Sequence, residues 1–227
     1  MTHPRIEKTA FLALFLAAVP ALAAQAPAWV ESEVKAAESD LTALRHKLHA
    51  MPELGNQEVK TQAEIVRILK EAGIETVVVE PAMFPNDTSY DMAIRNKLKD
   101  MDIELVINAG FYPGVGRETA RSFHNKVIAV QPSLIPAFET LRGDAVHEAV
   151  LARGLKVTGA TAYLVDENGG VGPVLLQKAV PVLEDDDLTT LKRRVLTDAE
   201  WKLLPEAVKR FCAGKIRLHG GRAQLLE

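Results

Sequence analysis

The sequence predicts an α/β protein in which helices cover both faces of a mostly parallel sheet. Segments with strand and helix signals alternate over residues 74 to 182, which is typical of a layered α/β fold. The run Ile103 to Asn108 is too uniformly apolar to have a solvated face, so it predicts a strand buried in a parallel sheet. Apolar content of 48% and charged content of 25% are ordinary for a globular protein.

The charge and cysteine content exclude several classes of function. The chain has 227 residues and a net charge of −3, and it contains no basic run of the kind that binds nucleic acid. Its single cysteine, Cys212, excludes an internal disulfide and a multi-cysteine metal site. Because Cys212 lies in an amphipathic helical pattern, we expect a half-buried structural thiol.

Residues 1–26 have the pattern of an export signal. Arg5 and Lys8 precede an apolar run from Ala10 to Leu22, and Ala21-Leu22-Ala23 resembles a cleavage site. The alternative is a buried core segment. The run is too short for a stable membrane span, which needs about 20 apolar residues. The pattern therefore predicts a periplasmic or secreted protein if the signal functions.

Two helices are predicted in residues 27–73. The first has an apolar face and ends near Pro52, and the second runs from Gln57 to Ala72 and stops at Gly73. The residues expected to face inward are Val34, Ala37, Leu41, Leu44 and Leu48 in the first helix and Val59, Ala63, Val66 and Leu69 in the second.

The remaining residues predict a body of alternating elements. Asn86 to Thr88 supply possible helix caps, and residues 109–116 form a glycine-rich loop. In order, the predicted elements are strand Thr76–Val79, helix Tyr90–Met101, strand Ile103–Asn108, helix Thr119–His124, strand Val127–Val130, a helix capped by Asp144 that runs to Ala152, and strands Val157–Val165 and Val174–Val182.

The C-terminal part predicts two helices and a hairpin. The acidic run Glu184–Asp187 is expected to cap a helix from Leu188 to about Lys202, since negative charge stabilises a helix start. Pro205 is expected to begin the next helix, which ends at Gly214. Strands on either side of Gly220-Gly221 complete the pattern of a hairpin.

Residues 41–73 resemble the opening of zinc-dependent amidohydrolases of the aminoacylase and hippurate hydrolase type. The matching positions are Arg45, His49, Pro52, Glu53, Leu54, Gly55 and Thr61. Zinc in such enzymes needs clustered His, Asp, Glu or Cys ligands. None of the six histidines lies in a ligand motif of that family, and His46 and His49 fit a solvated helix better than a metal site. We therefore expect no zinc site.

A longer resemblance covers residues 72 to 227. The blocks IELVINAGF, VIAVQPSLIPAF, VHEAVLARGLKVTGATAYLVDENGGVGPVLLQKAVPV and RRVLTDAEWKLLPEAVKRFCAGKI, preceded by AGIETVVVEPAMFP, occur in the order found in glycinamide ribonucleotide formyltransferases. The resemblance implies a formyltransferase-like mixed sheet over residues 74–227, 10-formyltetrahydrofolate as cosubstrate if the protein is active, and a cytoplasmic location. The family's first strand and phosphate-binding loop have no counterpart upstream of residue 72.

The same resemblance implies that the catalytic groups are replaced. Family members have Asn and His where this chain has Ala129 and Gln131, an Asp at the position of Gly170, and a His at Tyr163. Formyl transfer needs a hydrogen-bond donor for the formyl oxygen and a group that moves protons. Alanine donates nothing, glutamine cannot carry a proton near neutral pH, and glycine has no side chain. We expect little or no transferase activity. The alternative is that Asp166 or Glu167 replaces the lost acid.

Three residues are candidates for contact with a ligand: Glu200, Gln131 and Pro132. Glu200 matches the family's Glu that faces the ribonucleotide, and an exposed helix carboxylate is an equal alternative. The functional hypotheses are an impaired formyltransferase-fold protein, a truncated exported zinc amidohydrolase, and a non-catalytic composite or ligand-binding scaffold. The missing first strand would leave a sheet edge that is covered by other elements or open to self-association.

Overall fold

The structure is a computed structural model that describes residues 42–44, 46–48, 50–53, 59–111 and 114–226. The predicted export signal and most of the first predicted helix lie outside these residues. The described part of the chain divides between Val78 and Val79 into two compact units, and each is considered by itself.

Helix α1 (Val59–Glu71) is the main element of the N-terminal unit. The Glu53 carboxylate accepts hydrogen bonds from the backbone N–H groups of Lys60 and Thr61 at 2.9 and 2.7 Å, which satisfies two donors of the first helical turn and lowers the pKa of Glu53. The predicted inward face is wrong in part, because Val59 is 71% exposed and Ala63 is also exposed. No residue of α1 is buried, and Glu64 of this helix forms ion pairs with Lys47 and Arg67.

The predicted strand Thr76–Val79 is not a strand in the structure. Val77 and Val78 are 41% and 51% exposed. A strand requires a neighbouring strand to bond its backbone groups, and β-branched residues alone do not provide one. No pairing partner for this run exists among the described strands.

The four-stranded sheet is mixed, as the resemblance implied. Its strands are β1 (Val106–Asn108), β2 (Val127–Gln131), β3 (Val157–Val165) and β4 (Val171–Pro181), in the order β1-β2-β3-β4. β1 and β2 are parallel, whereas β2–β3 and β3–β4 are antiparallel. The predicted predominance of parallel pairing is therefore not found among the described strands. The short turn between β3 and β4 forces an antiparallel pair, because a parallel connection needs a long crossover.

Helices lie on both faces of this sheet, as predicted. Along β2, Ile128 packs with one apolar cluster, and Val127 and Ala129 pack with the other. The first cluster receives residues of α4 (Asp144–Ala152), α5 (Leu188–Val195) and α6 (Trp201–Cys212). The second receives residues of α2 (Asp87–Asp100) and α3 (Arg117–Ser122).

The helix predictions hold with shifted ends. Asn86 caps α2, and its side-chain oxygen accepts from the Ser89 N–H at 2.9 Å. α4 has the predicted bounds, but its cap position is Gly143, and the Asp144 carboxylate instead pairs with Lys192 at 2.6 Å. Asp187 caps α5 by accepting from the Thr190 N–H at 2.8 Å, which confirms the predicted role of the acidic run.

The prediction that Pro205 begins a helix is wrong. The chain runs from α5 through a π-helical segment (Leu196–Glu200) into α6, and Pro205 lies inside α6. Proline lacks the N–H that would bond the preceding turn, and π segments are a known site of such rearranged helix bonding. Cys212 is exposed rather than half-buried, since it is the last residue of α6.

The predicted C-terminal hairpin is confirmed. β5 (Ile216–His219) and β6 (Arg222–Leu225) form an antiparallel pair. Gly220 and Gly221 connect them with φ values of 56° and 74°, which residues with a Cβ rarely adopt in succession. Over the described residues, no helix has both the length and the apolar character that a membrane span requires.

Candidate functional site

Ala129 is the middle residue of β2 and lies at the centre of a cross-strand row. It is 2% exposed, it pairs with Asn108 of β1, and it pairs with Tyr163 of β3. Residues in register on neighbouring strands project from the same face of a sheet. Both Ala129 and Tyr163 belong to the apolar cluster on the α2–α3 face, and Val106, two residues before Asn108, packs against that cluster. The row Asn108–Ala129–Tyr163 therefore faces this side.

Gln131 is committed to the backbone of the loop that follows β2. Its side chain is 2% exposed, and its Nε2 donates to the carbonyl oxygens of Phe138 and Leu141 at 3.2 and 2.8 Å. A primary amide has two N–H donors, so both are used. Gln131 consequently holds residues 132–143 in place rather than offering a free donor.

A second set of hydrogen bonds fixes the same loop from the β3 side. The Thr161 hydroxyl donates to the Ser133 carbonyl oxygen at 2.7 Å and accepts from the Ile135 N–H at 3.1 Å. The Gln177 amide donates to the Ile135 carbonyl oxygen at 2.9 Å. The peptide bond between Ile135 and Pro136 is cis. Pro132, a predicted ligand contact, is partly exposed at the start of this tethered loop.

Gly170 closes the turn between β3 and β4. Its N–H donates to the Asp166 carboxylate at 2.8 Å, and its carbonyl oxygen accepts from the Asp166 N–H at 3.0 Å. The same carboxylate accepts from the Asn168 N–H at 2.8 Å. Asp166 is thus held by its own turn, and its hydrogen bonds to that turn would have to break before it could act as the acid considered in the sequence analysis. Glu167 is exposed, and its Oε1 lies 3.3 Å from Nδ1 of His124.

Tyr163 is the ionisable side chain that pairs with Ala129 in the register. It is 6% exposed, and burial raises the pKa of its phenol. The positive charge of Arg142 lowers that pKa and the negative charge of Asp166 raises it, so both charges act on the phenol. The phenol accordingly stays a hydrogen-bond donor at neutral pH.

Glu200 lies on a different element from the other predicted site residues. It ends the π segment, whose Ala199 packs on the opposite face of the sheet from Ala129 and Tyr163. Burial raises the pKa of Glu200 to about 7, and the charge of Lys192 partly opposes that rise. Glu200 is therefore a partly buried carboxyl group with a raised pKa. It is not the exposed helix carboxylate that was the alternative in the sequence analysis.

Sequence reasoning missed two buried residues with ionisable side chains. Asp91 of α2 is 7% exposed, and its carboxylate accepts from the N–H groups of Gly116, Glu118 and Thr119 at 3.1, 2.8 and 3.3 Å. His147 of α4 is 2% exposed, and its Nδ1 has no partner among the described residues. The pKa of His147 is lowered, mainly by burial. The positive charge of Lys192 adds to this effect, and the negative charge of Asp144 opposes it. The only sequence signal for either residue is a polar side chain on a mainly apolar helix face.

The described residues contain no group of three His, Cys, Asp or Glu side chains placed to hold a metal ion. His46, one of the two histidines considered for zinc, is exposed, and His49 lies outside the described residues.

Known proteins similar to this chain point to one family. The formyl transferase family model matches residues 56–208, so the match begins upstream of residue 72, where the predicted resemblance to formyltransferases starts. The phosphoribosylglycinamide formyltransferase of Bacillus subtilis is 33% identical over 152 residues, which are 67% of this chain and 76% of that protein. The enzyme of the same name from Mycobacterium tuberculosis H37Rv is 34% identical over 167 residues, 74% of this chain and 76% of that protein.

The trifunctional purine biosynthetic protein adenosine-3 of Bos taurus is 36% identical over 149 residues, 66% of this chain, and the chain spans only 14% of its length. Glycinamide ribonucleotide transformylase 1 of Symbiobacterium toebii has a similar structure, with a TM-score of 0.65 and 33% identity over 71% of this chain and 74% of that one. A formyltetrahydrofolate deformylase from Pseudomonas syringae shares the fold, with a TM-score of 0.62 at 20% identity over 71% of this chain and 53% of that one. On the extent of the family match, this chain belongs to the formyl transferase family.

Proposed function

We propose that this chain is a formyltransferase-fold protein with impaired or absent formyl-transfer activity. The reaction in question moves a formyl group from 10-formyltetrahydrofolate to the amine of glycinamide ribonucleotide, and both molecules are its candidate small-molecule partners. The names of its relatives and the ordered sequence blocks support the reaction class. The side chains at the expected catalytic positions support the impairment.

The observation that carries the proposal is the hydrogen bonding of Gln131. This residue stands where the resemblance expects the proton-carrying His, and both of its amide hydrogens already bond loop carbonyls. Freeing one would break a buried hydrogen bond and leave a carbonyl oxygen unpaired, at a cost of about 1–3 kcal/mol. Gln131 is therefore poorly suited to act on a substrate, apart from its inability to move a proton.

The other two replacements act in the same direction. The methyl group of Ala129 offers no donor to the formyl oxygen, and the turn around Gly170 binds Asp166 to backbone N–H groups. Loss of one oxyanion donor costs about 100- to 1000-fold in rate, and loss of acid–base help about 100- to 10000-fold. These factors are not additive, yet together they predict turnover near background.

A formyl-transfer assay with both substrates tests the proposal. The wild-type chain is compared with Ala129→Asn/Gln131→His, and the Bacillus subtilis relative serves as the positive control. We expect no turnover above the buffer rate for the wild type and a measurable gain for the double variant. Wild-type turnover of about 1 per second or faster, the ordinary enzyme range, would overturn the impairment.

Export from the cytoplasm is a separate proposal about residues 1–26. It rests on the charged start, the apolar run and the small residues at 21–23. Expression of the full chain in a bacterium, followed by cell fractionation and N-terminal sequencing, tests it. A periplasmic product that begins after Ala23 supports export, and a cytoplasmic product that keeps its first residues rejects it.

Self-association is proposed on the basis of the sheet edge. Among the described strands, β1 has β2 as its neighbour on one side and none on the other. An unpaired edge offers backbone donors and acceptors to another strand. Sedimentation equilibrium over a range of concentrations is the test, and a single monomeric species throughout would reject the proposal.

The amidohydrolase-like segment remains the second candidate for the N-terminal part, on the strength of Arg45, His49 and the Pro52–Gly55 run. Metal analysis of the purified full chain separates the two functional classes. One zinc ion per chain, with hydrolysis of a hippurate-type amide, would favour the amidohydrolase.

A further inference from the structure

We infer that the Asn108 carboxamide and the Tyr163 phenol form a hydrogen-bonding site for the formyl oxygen of a folate ligand, in place of the donor that Ala129 lacks. The inference rests on the proposed function, because it takes the ligand class from there. It concerns binding of the formyl group and does not require turnover.

The register of the sheet carries the first step. Asn108 pairs with Ala129 across the parallel β1–β2 ladder, and Tyr163 pairs with Ala129 across the antiparallel β2–β3 ladder. Neighbouring strands lie about 4.8 Å apart, so each polar residue is roughly 5 Å from the Ala129 backbone, one on each side. A carbonyl oxygen above the Ala129 methyl group would lie between them.

The orientation of the strands supports the same placement. Val106 packs with the apolar cluster that contains Ala129 and Tyr163, while Ile107 packs with the opposite cluster. Side chains alternate along a strand, so Asn108 projects from the face of Val106. The carboxamide is therefore on the same side as the phenol.

The position of the row fits a ligand site. Asn108 is the last residue of β1 and is only half-buried, whereas Ala129 and Tyr163 are buried. In α/β sheets, ligands bind at the carboxyl ends of parallel strands. The Asn108 end is thus the more exposed end of the row, and the surrounding apolar residues strengthen a hydrogen bond that forms there.

The chemistry of the two groups selects a carbonyl oxygen. A carboxamide supplies N–H donors, and a neutral phenol supplies an O–H donor. The cluster around them contributes Ala120, Phe123, Val127 and Val165. The opposite charges of Arg142 and Asp166 both act on the phenol, so the surroundings have no single sign of charge and suit a neutral acceptor. Asn108 lies on β1, whereas Ala129 lies on β2 and Tyr163 on β3. It was not among the site residues predicted from the sequence.

Two ligands that differ in the formyl group test the inference. Binding of 10-formyl-5,8-dideazafolate and of unformylated 5,8-dideazafolate to the full chain is measured by titration calorimetry. We expect the wild type to prefer the formylated compound. Asn108→Ala should reduce that preference about three- to tenfold, the usual effect of one hydrogen bond, and Tyr163→Phe should do the same.

Two further variants separate donation from packing. Asn108→Asp keeps the shape but loses the N–H donor, so it should also reduce the preference. Asn96→Ala, at an exposed position of α2, is the matched control and should leave the preference for the formylated compound unchanged. Urea unfolding of every variant shows whether the fold is intact.

The outcomes for the two proposals are distinct. A wild type that binds neither ligand, or binds both equally, overturns the donor site and leaves the impaired transferase untouched. An unchanged preference in both Asn108→Ala and Tyr163→Phe also overturns it. Rapid formyl transfer by the wild type refutes the impairment alone, since the donor site is judged by the preference for the formylated ligand.

Discussion

The Gln131 side-chain amide donates a 2.8 Å hydrogen bond to the Leu141 carbonyl oxygen, and this bond joins the end of β2 to the loop after it. Gln131, at an expected catalytic position, thus stabilises the loop through a hydrogen bond to its backbone. The same amide also bonds the Phe138 carbonyl oxygen, so its effect on stability can be measured separately from catalysis.

Replacing Gln131 with alanine is expected to destabilise the protein by about 1–3 kcal/mol, because two loop carbonyls lose their buried donor. Urea unfolding monitored by circular dichroism measures the change in the free energy of unfolding. Gln224→Ala in the exposed β5–β6 hairpin is the matched control and should change it by less than about 0.5 kcal/mol. Equal stability of the two variants would contradict the loop-tethering role.

Replacing Gly170 with aspartate is expected to destabilise the protein at neutral pH without restoring activity. A Cβ at this position would lie 3.2 and 3.3 Å from the two carboxylate oxygens of Asp166, so the new carboxylate would face an existing one. Repulsion of about 1–2 kcal/mol is expected while both are ionised.

Gly170→Asn is the matched control for this charge effect. It has a similar size and no charge, so the difference between the two variants should be present at pH 7 and become smaller in acid, where the introduced carboxyl group is protonated. Unfolding curves at pH 7 and pH 3.5 measure it. A difference that does not depend on pH would show a steric effect instead.

The raised pKa of Glu200 predicts a fall in stability with rising pH. The folded-state pKa is about 7 and the ordinary value is 4.5, so the folded state binds this proton more tightly than the unfolded state between those pH values. Stability from this group is therefore greatest near pH 4.5 and is lost as the pH rises to about 7, by up to roughly 3 kcal/mol.

Glu200→Gln should remove this decline, and the variant should be more stable than the wild type at pH 8. Urea unfolding at pH 5 and pH 8 gives both numbers. Glu148→Gln, at an exposed position of α4, is the control and should follow the wild type. A decline of the same size in Glu200→Gln would show that another group causes it.

Replacing Gly116 with alanine is expected to cost more than about 2 kcal/mol, because its Cβ would lie 2.3 Å from Cγ of Asp91. Asp91→Ala alone is expected to cost about 2–4 kcal/mol, since three backbone N–H groups lose their acceptor. The double variant should be more stable than the sum of the single losses implies. Additive losses in this double-mutant cycle would contradict the direct contact.

Local patterns were sufficient for elements whose signals lie within a few residues. The bounds of β3 and α4 agree with the prediction because alternating or periodic apolar residues and nearby glycines specify them. The turn at Gly220-Gly221 was predictable for the same reason. The positions of Ala129, Gln131 and Gly170 were assigned from the sequence alone, since each lies within a block that resembles the family, and their catalytic meaning stays a prediction.

Features that depend on a distant partner were not predictable in this way. The β-branched run at 76–79 satisfies local strand preferences, but strand formation depends on a neighbour, and no described strand pairs with it. Asp91 caps a helix that begins 26 residues later. Asn108 and Tyr163 lie on either side of Ala129 only because of the register of three strands. Local sequence determines backbone preferences over one or two turns of chain. Burial and strand pairing depend instead on which distant segments come together in the fold. The sequence by itself thus predicted the family and the residues at the expected catalytic positions, and the fold determined which polar groups lie beside Ala129.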